Sequence, residues 1–252
     1  MTTAKSCATI AMESTLTSDV APFAPSRGEL GGLMNPLEIP EIVIRRLPLY
    51  LRTLNRMAVE GQSVTSSQEM GDWLGISSTQ IRKDLSYFGE FGKQGTGYDI
   101  QYLRAQLQQI LQISTRWKVA IVGAGDLGRA VFHYSRFDDG GFIVSAILDK
   151  DKQKIGRQVG GLKVLDVASL KPVISRQGIR IAIIAVPASE AQQVANSLVE
   201  AGIKAILSYA PVPLVLPPDI QVHYIDPVIG LQSMTYYLPV GSPPGANGKS
   251  DS

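Results

Sequence analysis

The sequence predicts an α/β protein of two domains, in which a small helical domain precedes a larger domain built on a parallel sheet. Two patterns predict this. The first half of the chain holds two short segments with helix-capping residues, whereas the second half alternates apolar strand-like runs with helix-like runs. The second half opens on an apolar strand, a glycine turn and a helix, WKVAIVGAGDLGRAVFHYSRF. A chain of 252 residues is long enough for two such domains.

Composition excludes several classes of protein. Hydrophobic residues make up 44% and charged residues 18%, which indicates a globular chain rather than a disordered or fibrous one. No apolar run approaches the ~20 residues that a membrane-spanning helix needs, so no membrane partner is expected. Cys7 is the single cysteine, which excludes an internal disulfide framework and suits a cytoplasmic location. A net charge of +2 argues against a polybasic protein.

The pattern also predicts the domain boundaries. A leader rich in Ser, Thr, Ala, Gly and Pro at 1–36 and the ending PVGSPPGANGKSDS at 239–252 are expected to be disordered. Between them, the helical domain is predicted at 37–100, a linker helix at 101–116 and the sheet domain at 117–226.

The first predicted helix, Glu41 to Glu60, interleaves arginines with aliphatic residues. Pro48 lies inside it and is expected to kink or split it, because proline lacks the N–H that an interior turn needs. The arginines of this helix are Arg45, Arg46, Arg52 and Arg56.

Two short helices follow. Ser66 and Glu69 have the spacing of a capping box, and the helix Ser67–Leu74 that they open ends at a glycine. Ser77 and Gln80 repeat the device, with a turn of about three residues between the helices, which is typical of a helix-turn-helix. The run GEFGKQGTGYDI alternates glycine with aromatic and polar residues and predicts a hairpin. Together these features predict a winged helix.

The sheet domain alternates strands and helices. Its later predicted strands are Phe142–Leu148, Lys163–Leu165, Ile181–Val186, Ala205–Leu207 and Gln221–Ile225, and the helices between them are Val167–Arg176 and Ser189–Glu200. This alternation predicts a parallel sheet with helices on both faces.

A dinucleotide-binding turn is predicted where the sheet domain begins. The motif G-x-G-x-x-G lies between a predicted strand and helix, and its glycines suit a tight turn, a close approach to pyrophosphate and close helix packing. The motif alone also fits an ordinary turn. An acid about 20 residues later, at the end of the second strand, is the group that binds ribose hydroxyls. The predicted cofactor-binding residues here are Gly123, Ala124, Gly125, Asp126, Leu127, Gly128 and Asp149.

The acids at the second strand favour NAD(H) over NADP(H), since Asp149 and Asp151 would repel a ribose 2′-phosphate. Lys150 and Arg157 could oppose that preference, but they are interpreted as residues of a solvated charged loop.

The second short helix is amphipathic and predicts a DNA-binding face. Its apolar side consists of Ile81, Leu85 and Phe88. Its opposite side consists of Thr79, Lys83 and Ser86, with Gln80 and Arg82 on the flanks. Such a side can reach guanine edges and phosphates in a major groove. Residues 36–100 hold eight acids and seven Lys or Arg, so DNA binding would depend on this directed face rather than on bulk charge.

These stretches resemble the Rex family of bacterial redox-sensing repressors, from about Ile39 to Leu238. The resemblance is carried by SSTQIRKDLSYFGEFGKQGTGYDI, GAGDLGRA, IAVPA and HYIDPVIGLQS. It implies a homodimer whose two winged-helix domains bind the halves of a palindromic operator, and it implies a fold with paired Rossmann domains. It further implies that NADH binding releases the DNA, with NAD+ as the competing ligand.

The resemblance also assigns roles to residues. A C-terminal helix at 227–238 would cross to the partner subunit, and Arg52, Tyr134 and Asp226 would form a charge-sensitive cluster near the nicotinamide. The further cofactor contacts are Val186, Pro187, Ala210 and Pro211. The DNA contacts, including the wing at 92–97, are Arg45, Arg46, Thr79, Arg82, Lys83, Ser86, Lys93 and Gln94.

The chain departs from the family pattern at several positions. Gln94 stands where a basic residue is common, Ser208 replaces a frequent asparagine, and Pro227 replaces a larger apolar residue. The leader of 36 residues is longer than the family needs. The change at Pro227 bears on the shape of the nicotinamide pocket.

Two other functions fit a glycine turn. An NAD-dependent dehydrogenase would need a placed acid or base, but His133 and His223 are interpreted as packed or surface residues, and Asp138 stands where a reductase would place lysine four residues after Tyr134. No catalytic residue and no metal site is therefore predicted. A coenzyme A-binding module has a related fold, although Asp149 favours a ribose diol.

Overall fold

The computed structural model describes residues 39–92, 95–134, 137 and 140–238. The predicted leader at 1–36 and tail at 239–252 lie outside this part of the chain. The described residues form two compact units. The first comprises 39–53 and Val64–Asp99, and the second comprises Leu54–Ser63 and 100–238. No helix in the described ranges is long and apolar enough to cross a membrane.

The first unit is mainly helical. Its elements are α1 (Glu41–Val59, whose last residues belong to the second unit), β1 (Val64–Thr65), α2 (Ser67–Leu74), α3 (Ser78–Ser86) and β2 (Tyr98–Asp99). Helix α1 continues through Pro48, so of the two predicted effects of the proline, a kink or a split, the split does not occur. Leu47, Tyr50 and Leu51 near the proline are buried, and their packing outweighs the lost hydrogen bond.

The predicted caps of α2 and α3 are confirmed. The Ser66 hydroxyl accepts from the Glu69 N–H at 3.1 Å, and the Ser77 hydroxyl accepts from the Gln80 N–H at 3.2 Å. Helix α2 ends at Gly75, whose φ of 66° is the left-handed conformation that glycine adopts at low cost. The three-residue turn between the helices is therefore the predicted one.

The strand at the end of this unit pairs with an earlier strand. Tyr98–Asp99 is antiparallel to β1, which precedes both short helices. The centre of the hairpin predicted within GEFGKQGTGYDI, residues 93–94, lies outside the described residues. Gly97 permits this approach, because a Cβ there would overlap the carbonyl oxygen of Thr65. Next to β2, the Ile100 N–H donates to the Ser63 carbonyl at 2.9 Å.

The second unit contains the sheet. Its elements are α4 (Ile100–Ile110), β3 (Trp117–Val122), α5 (Asp126–Phe132), β4 (Phe142–Asp149), β5 (Gln158–Val159), β6 (Leu162–Lys163), β7 (Leu165–Asp166), a 3-10 turn (Val167–Ser169), α6 (Leu170–Gln177), β8 (Ile181–Ile184), α7 (Ala188–Glu200), β9 (Ala205–Ser208), β10 (Gln221–Tyr224) and α8 (Pro227–Thr235). Helix α4, expected as a linker, belongs to this unit, where Arg104 Nε donates to Asn55 Oδ1 at 2.7 Å.

Six strands form one parallel sheet in the order β10-β9-β8-β3-β4-β7. This is the strand order of doubly wound dinucleotide-binding folds, which reverses direction between β3 and β8. The predicted single strand Lys163–Leu165 is wrong. The chain divides at Val164, which is buried and bonded to Arg157 and Gly156, so that β6 pairs antiparallel with β5 while β7 joins the large sheet.

Both faces of the sheet are covered, as predicted. Alternate residues of β3 point to opposite faces. Ala120 and Val122 pack in the cluster that contains residues of α6 and α7, whereas Val119 and Ile121 pack with Val131 of α5. Buried apolar layers therefore support the carboxyl end of β3, where the glycine turn begins.

Candidate functional site

The three glycines of the turn after β3 have separate structural roles. Gly123 has a φ of 104°, and a Cβ on it would overlap the carbonyl oxygen of Ala185. A Cβ on Gly128 would overlap the carbonyl oxygen of Gly123, so this glycine sets the close packing of helix and strand. A Cβ on Gly125 meets nothing within 4 Å. Gly123 is therefore needed for the turn and Gly128 for the packing of helix against strand, whereas Gly125 leaves an open surface for a ligand.

Asp149 ends β4 directly beside this turn. One carboxylate oxygen, Oδ2, accepts from the Ala124 N–H at 2.7 Å and from Lys154 Nζ at 3.2 Å, and Oδ1 accepts from the Asp151 N–H at 2.8 Å. Burial raises the pKa of Asp149, but the two backbone N–H groups and the lysine outweigh burial, so the pKa lies below its ordinary value. The acid is therefore ionised at neutral pH and oriented toward the turn.

A cleft of about 850 Å³ opens at the carboxyl ends of β3, β4 and β8. Its walls include Gly123, Gly125, Asp149, Val186 and Pro187. In open parallel sheets, ligands bind at this edge, where the strand order reverses. The cleft therefore brings together the glycine turn, the acid after the second strand, and Val186 and Pro187, the two predicted contacts within IAVPA.

A second, smaller cavity of about 320 Å³ lies beside the turn. Its walls include Ala124, Gly125, Asp126, Arg129 and Lys154. Gly125 and Lys154 line both cavities. The open glycine surface is therefore accessible from two sides, and basic side chains stand next to it.

The structure does not place every predicted cofactor residue in these cavities. Leu127 is exposed, Gly128 is buried under the turn, and Pro211 is exposed after β9. Ala210 is 3% exposed in the apolar core, and its N–H donates to the Ser208 hydroxyl. None of these four residues lines either cavity.

The predicted coupling residues lie in different units. Arg52 is an exposed residue of the first unit, whereas Tyr134 and Asp226 belong to the second. Burial and the neighbouring Tyr134 raise the pKa of Tyr209, which follows β9 at the ligand edge of the sheet. The Asp226 carboxylate accepts from the Val228 N–H at 2.9 Å and thereby caps α8.

The predicted two-sided character of α3 is confirmed. Ile81 and Leu85 are buried and Phe88 is half-buried. The outward residues Thr79, Lys83 and Ser86 are exposed. The α3 outer face, as we name these three residues, presents one ammonium and two hydroxyl groups.

Arg82 is held at the flank of this face. Its guanidinium donates to the Ser67 hydroxyl at 3.0 Å and to the Thr79 hydroxyl at 3.2 Å. The first bond ties α3 to the start of α2. Arg82 therefore combines an exposed charge with a fixed orientation.

The two arginines predicted to contact DNA from α1 have other partners in the structure. Arg46 Nε and Nη2 donate to the two carboxylate oxygens of Asp84 at 2.5 and 2.7 Å, which turns this side chain inward. Arg45 forms an exposed pair with Glu41 at 2.7 Å. The predicted wing contacts Lys93 and Gln94 lie outside the described residues.

Sequence reasoning missed the acid that holds Arg46. Asp84 is fully buried on α3, where it also accepts from the Tyr50 hydroxyl at 2.5 Å and from Gln80 at 2.7 Å. A signal existed, because position 84 follows Ile81 by three residues and so lies on the apolar face of the helix. Lys154 was also missed, and its distance from Asp149 along the chain carries no comparable signal.

The described residues contain no group of three or more His, Cys, Asp or Glu side chains that could hold a metal ion. His133 and His223 are both exposed. The chemistry of the site therefore consists of backbone N–H groups, one buried carboxylate and several cations, which is a set suited to binding a phosphorylated nucleoside.

Two family models match this chain. One is described as a putative DNA-binding protein N-terminus and matches residues 38–86. The other is described as a CoA binding domain and matches residues 114–212.

Curated relatives match most of the chain. The chain is 53% identical to a redox-sensing transcriptional repressor Rex of Chloroflexus aurantiacus, over 79% of this chain and 94% of the relative. It is 40% identical to the protein of the same name from Desulforamulus reducens, over 81% of this chain and 98% of the relative. Both relatives are named as repressors, not enzymes.

Solved structures of a Rex-family repressor also match most of the chain. A structure of RSP in complex with β-NAD+ and operator DNA has a TM-score of 0.75 and 35% identity, and the match covers 79% of this chain and 92% of that one. A structure of RSP with β-NADH has a TM-score of 0.73 and 33% identity, covering 79% and 94%. RSP is described as a Rex-family repressor.

Proposed function

The chain belongs to the Rex family of redox-sensing transcriptional repressors, and on that premise we propose that it represses transcription from palindromic operators and releases them when NADH binds. NAD+ is the competing ligand, so the protein reports the ratio of NADH to NAD+. Such a repressor acts on bacterial DNA, which places it in the cytoplasm.

The cleft at the glycine turn is the observation that carries this proposal. Gly125 offers backbone without a side chain, and Asp149 is ionised beside it. These groups suit the pyrophosphate and the adenosine ribose of a dinucleotide. When bound, the nicotinamide supplies a ring whose charge depends on its oxidation state.

The α3 outer face supplies the DNA contacts. Lys83 and the flanking Arg82 carry the positive charges, and Thr79 and Ser86 add small hydroxyl groups. A recognition helix of this chemistry contacts base edges with its exposed side. Arg46, which Asp84 turns inward, orients this helix instead of contacting DNA.

A second copy of the chain completes the repressor. In the structure as described, no residue of helix α8 is buried. Its large apolar side chains are 55–65% exposed, namely Val228, Ile229, Leu231 and Met234. A helix with this much apolar surface is covered in the assembled protein. We assign the partner subunit as its cover, in agreement with two recognition helices on a palindromic site.

Charge couples the ligand to the DNA. The NAD+ ring carries one positive charge more than NADH, and a site discriminates only through an interaction that differs between the two forms. Asp226 of one subunit attracts the cationic ring, and in the NADH state its carboxylate is free to interact with Tyr134 or Arg52. Arg52 belongs to the DNA-binding unit, and two half-sites at fixed spacing tolerate little rearrangement of the helices that read them.

The decisive experiment is a fluorescence anisotropy titration of palindromic promoter DNA. We expect the dimer to bind DNA without ligand or with NAD+, and NADH to release it at concentrations where NAD+ does not. DNA binding that is indifferent to NADH would contradict the proposal. Substrate-dependent oxidation of NADH would instead indicate a dehydrogenase.

Coenzyme A is the alternative ligand, because the family model that covers the sheet domain is described as a CoA binding domain. Parallel calorimetric titrations with NADH, NAD+ and coenzyme A separate the two possibilities. We expect binding of the two dinucleotides only, since Asp149 would repel a phosphate placed on the adenosine ribose.

A further inference from the structure

Lys154 lies between two acids of the dinucleotide cleft, Asp149 and Asp151. Lys154 Nζ lies 3.2 Å from Oδ2 of Asp149 and 3.8 Å from Oδ2 of Asp151. The lysine side chain is 36% exposed, and that of Asp149 is 8% exposed. A cation in this position compensates the charge of a nearly buried carboxylate.

The loop after β4 forms a hydrogen-bonded turn that directs the Lys154 side chain toward the cleft. The Asp151 carboxylate accepts from the Gln153 N–H at 2.9 Å, and the Asp151 carbonyl accepts from the Lys154 N–H at 2.9 Å. The Asp151 N–H in turn donates to Asp149. This turn fixes where the lysine side chain begins and directs it back toward the strand end.

Lys154 also stands beside the open face of the glycine turn. It lines both the larger cleft and the smaller cavity, and Gly125 is the other residue that they share. The Asp149 oxygen that Lys154 contacts is the one that accepts from the Ala124 N–H in the turn. The ammonium group therefore contacts the acid that would bind ribose and lines the same two cavities as the backbone that would bind pyrophosphate.

We propose that Lys154 offsets the charge of Asp149, which two backbone N–H groups already orient, so that the diphosphate of an adenine dinucleotide can approach the glycine turn. This inference rests on the proposed NAD(H)-binding function and deepens it. A diphosphate beside an uncompensated carboxylate would meet like-charge repulsion in a partly desolvated site. With the lysine present, the same carboxylate orients the ribose without repelling the phosphates.

The role has a specific consequence for redox sensing. Lys154 acts on the adenosine diphosphate part of the ligand, which NADH and NAD+ share. It therefore sets the concentration range in which the sensor responds and leaves the ratio of the two affinities unchanged.

The test compares three variants of the full chain with the wild type. Lys154→Met removes the charge and keeps the length of the side chain, Lys154→Arg keeps the charge, and Lys152→Met removes an exposed lysine of the same loop. We expect Lys154→Met to weaken NADH and NAD+ by the same factor of about tenfold (~1.4 kcal/mol). Lys154→Arg and Lys152→Met should stay within about twofold of the wild type.

The affinities of the variants for adenosine and for ADP distinguish charge compensation by Lys154 from a merely structural role of this residue. Removing the charge should weaken ADP, which carries the two phosphates, and leave adenosine nearly unchanged in competition against a fluorescent nucleotide. Equal losses of affinity for ADP and adenosine, or an unchanged NADH affinity in Lys154→Met, would overturn the inference. The proposed function would still stand in either case, provided that the wild type binds NADH. A wild type that binds no NADH would refute the proposed function, and the role of Lys154 with it.

Discussion

The guanidinium of Arg46 on α1 meets the carboxylate of Asp84 on α3 through two parallel hydrogen bonds, at 2.5 and 2.7 Å. The Asp84 side chain is fully buried, and that of Arg46 is 19% exposed. The helix that is proposed to read DNA is therefore oriented by an ion pair on its inner side, directly behind the residues of its outer face.

Arg46→Ala should destabilise the first unit by about 2–3 kcal/mol, because it leaves the Asp84 charge buried without its bidentate partner. Thermal unfolding by calorimetry measures this loss. Arg45→Ala is the matched control. It removes an exposed pair with Glu41 and should cost no more than ~0.5 kcal/mol. Equal effects of the two variants would show that the buried pair adds nothing.

The stabilising effect of Asp84 should depend on pH. Burial raises its pKa, but the bonds from Arg46, Tyr50 and Gln80 outweigh burial, and the pKa in the folded state lies below the ordinary value. A lowered folded pKa gives stability that is complete above the unfolded value of about 3.9 and is lost as the pH falls through the folded value. The difference in Tm between wild type and Asp84→Asn should thus be constant above pH ~5 and shrink below pH ~4. A difference that persists in acid would contradict this.

Lys83→Ala should abolish operator binding at concentrations where the wild type is saturated. Loss of a base contact costs ~1–3 kcal/mol, and the exposed side chain has no part in the core. Anisotropy measures DNA affinity, and fluorescence titration should give an unchanged NADH affinity. Lys171→Ala, an exposed lysine of α6 in the other unit, is the control. If Lys83→Ala binds the operator normally, Lys83 is not on the DNA-contacting face.

Gly125→Val should fold, bind DNA and fail to bind NADH, which produces a constitutive repressor. The backbone of Gly125 has φ −74° and ψ −168°, an extended conformation open to valine, and its Cβ meets no protein atom within 4 Å. Gly128→Ala is the contrasting variant. It should lose about 1–3 kcal/mol of stability, because its Cβ has no room under the turn. NADH-induced release by Gly125→Val would place the cofactor elsewhere.

Asp226→Asn should increase the ratio of NADH to NAD+ affinity, because it removes the charge that attracts the cationic ring and so weakens the binding of NAD+ alone. Asparagine keeps the cap that Asp226 forms with the Val228 N–H, so α8 stays intact. Arg52→Ala should instead uncouple NADH binding from DNA release. Parallel titrations and gel shifts test both variants, and wild-type behaviour of both would exclude the charge switch.

Local signals predicted the two short helices of the first unit with accuracy. Helix α2 has the predicted bounds Ser67–Leu74, because the serine cap and the terminal glycine act within a few residues of the chain. The partner of β2 could not be predicted in the same way. Val64–Thr65 is only two residues long, too short to show a period, and it is separated from β2 by both helices.

In the candidate site too, features set by local sequence were predictable, and features set by contacts between distant residues were not. The turn at Gly123 and the acid Asp149 were predictable, since a strand, a turn and a second strand fix their relation. The inward orientation of Arg46 depends on Asp84, which is 38 residues away in the sequence. The position of Lys154 depends on the geometry of a single turn. The sequence shows which residues are charged, but it does not show which of them form ion pairs with each other.

The bond between the Ile100 N–H and the Ser63 carbonyl means that residues 64–99 leave the chain and rejoin it at one point. This segment holds both short helices and is closed by the pairing of β1 with β2. An insert whose ends are adjacent can be exchanged without a new linker. The proposed recognition helix thus lies in an insert whose two ends meet. Exchange of these 36 residues between relatives that share Arg46 and Tyr50, the α1 partners of Asp84, should transfer operator specificity while leaving the NADH-binding domain untouched.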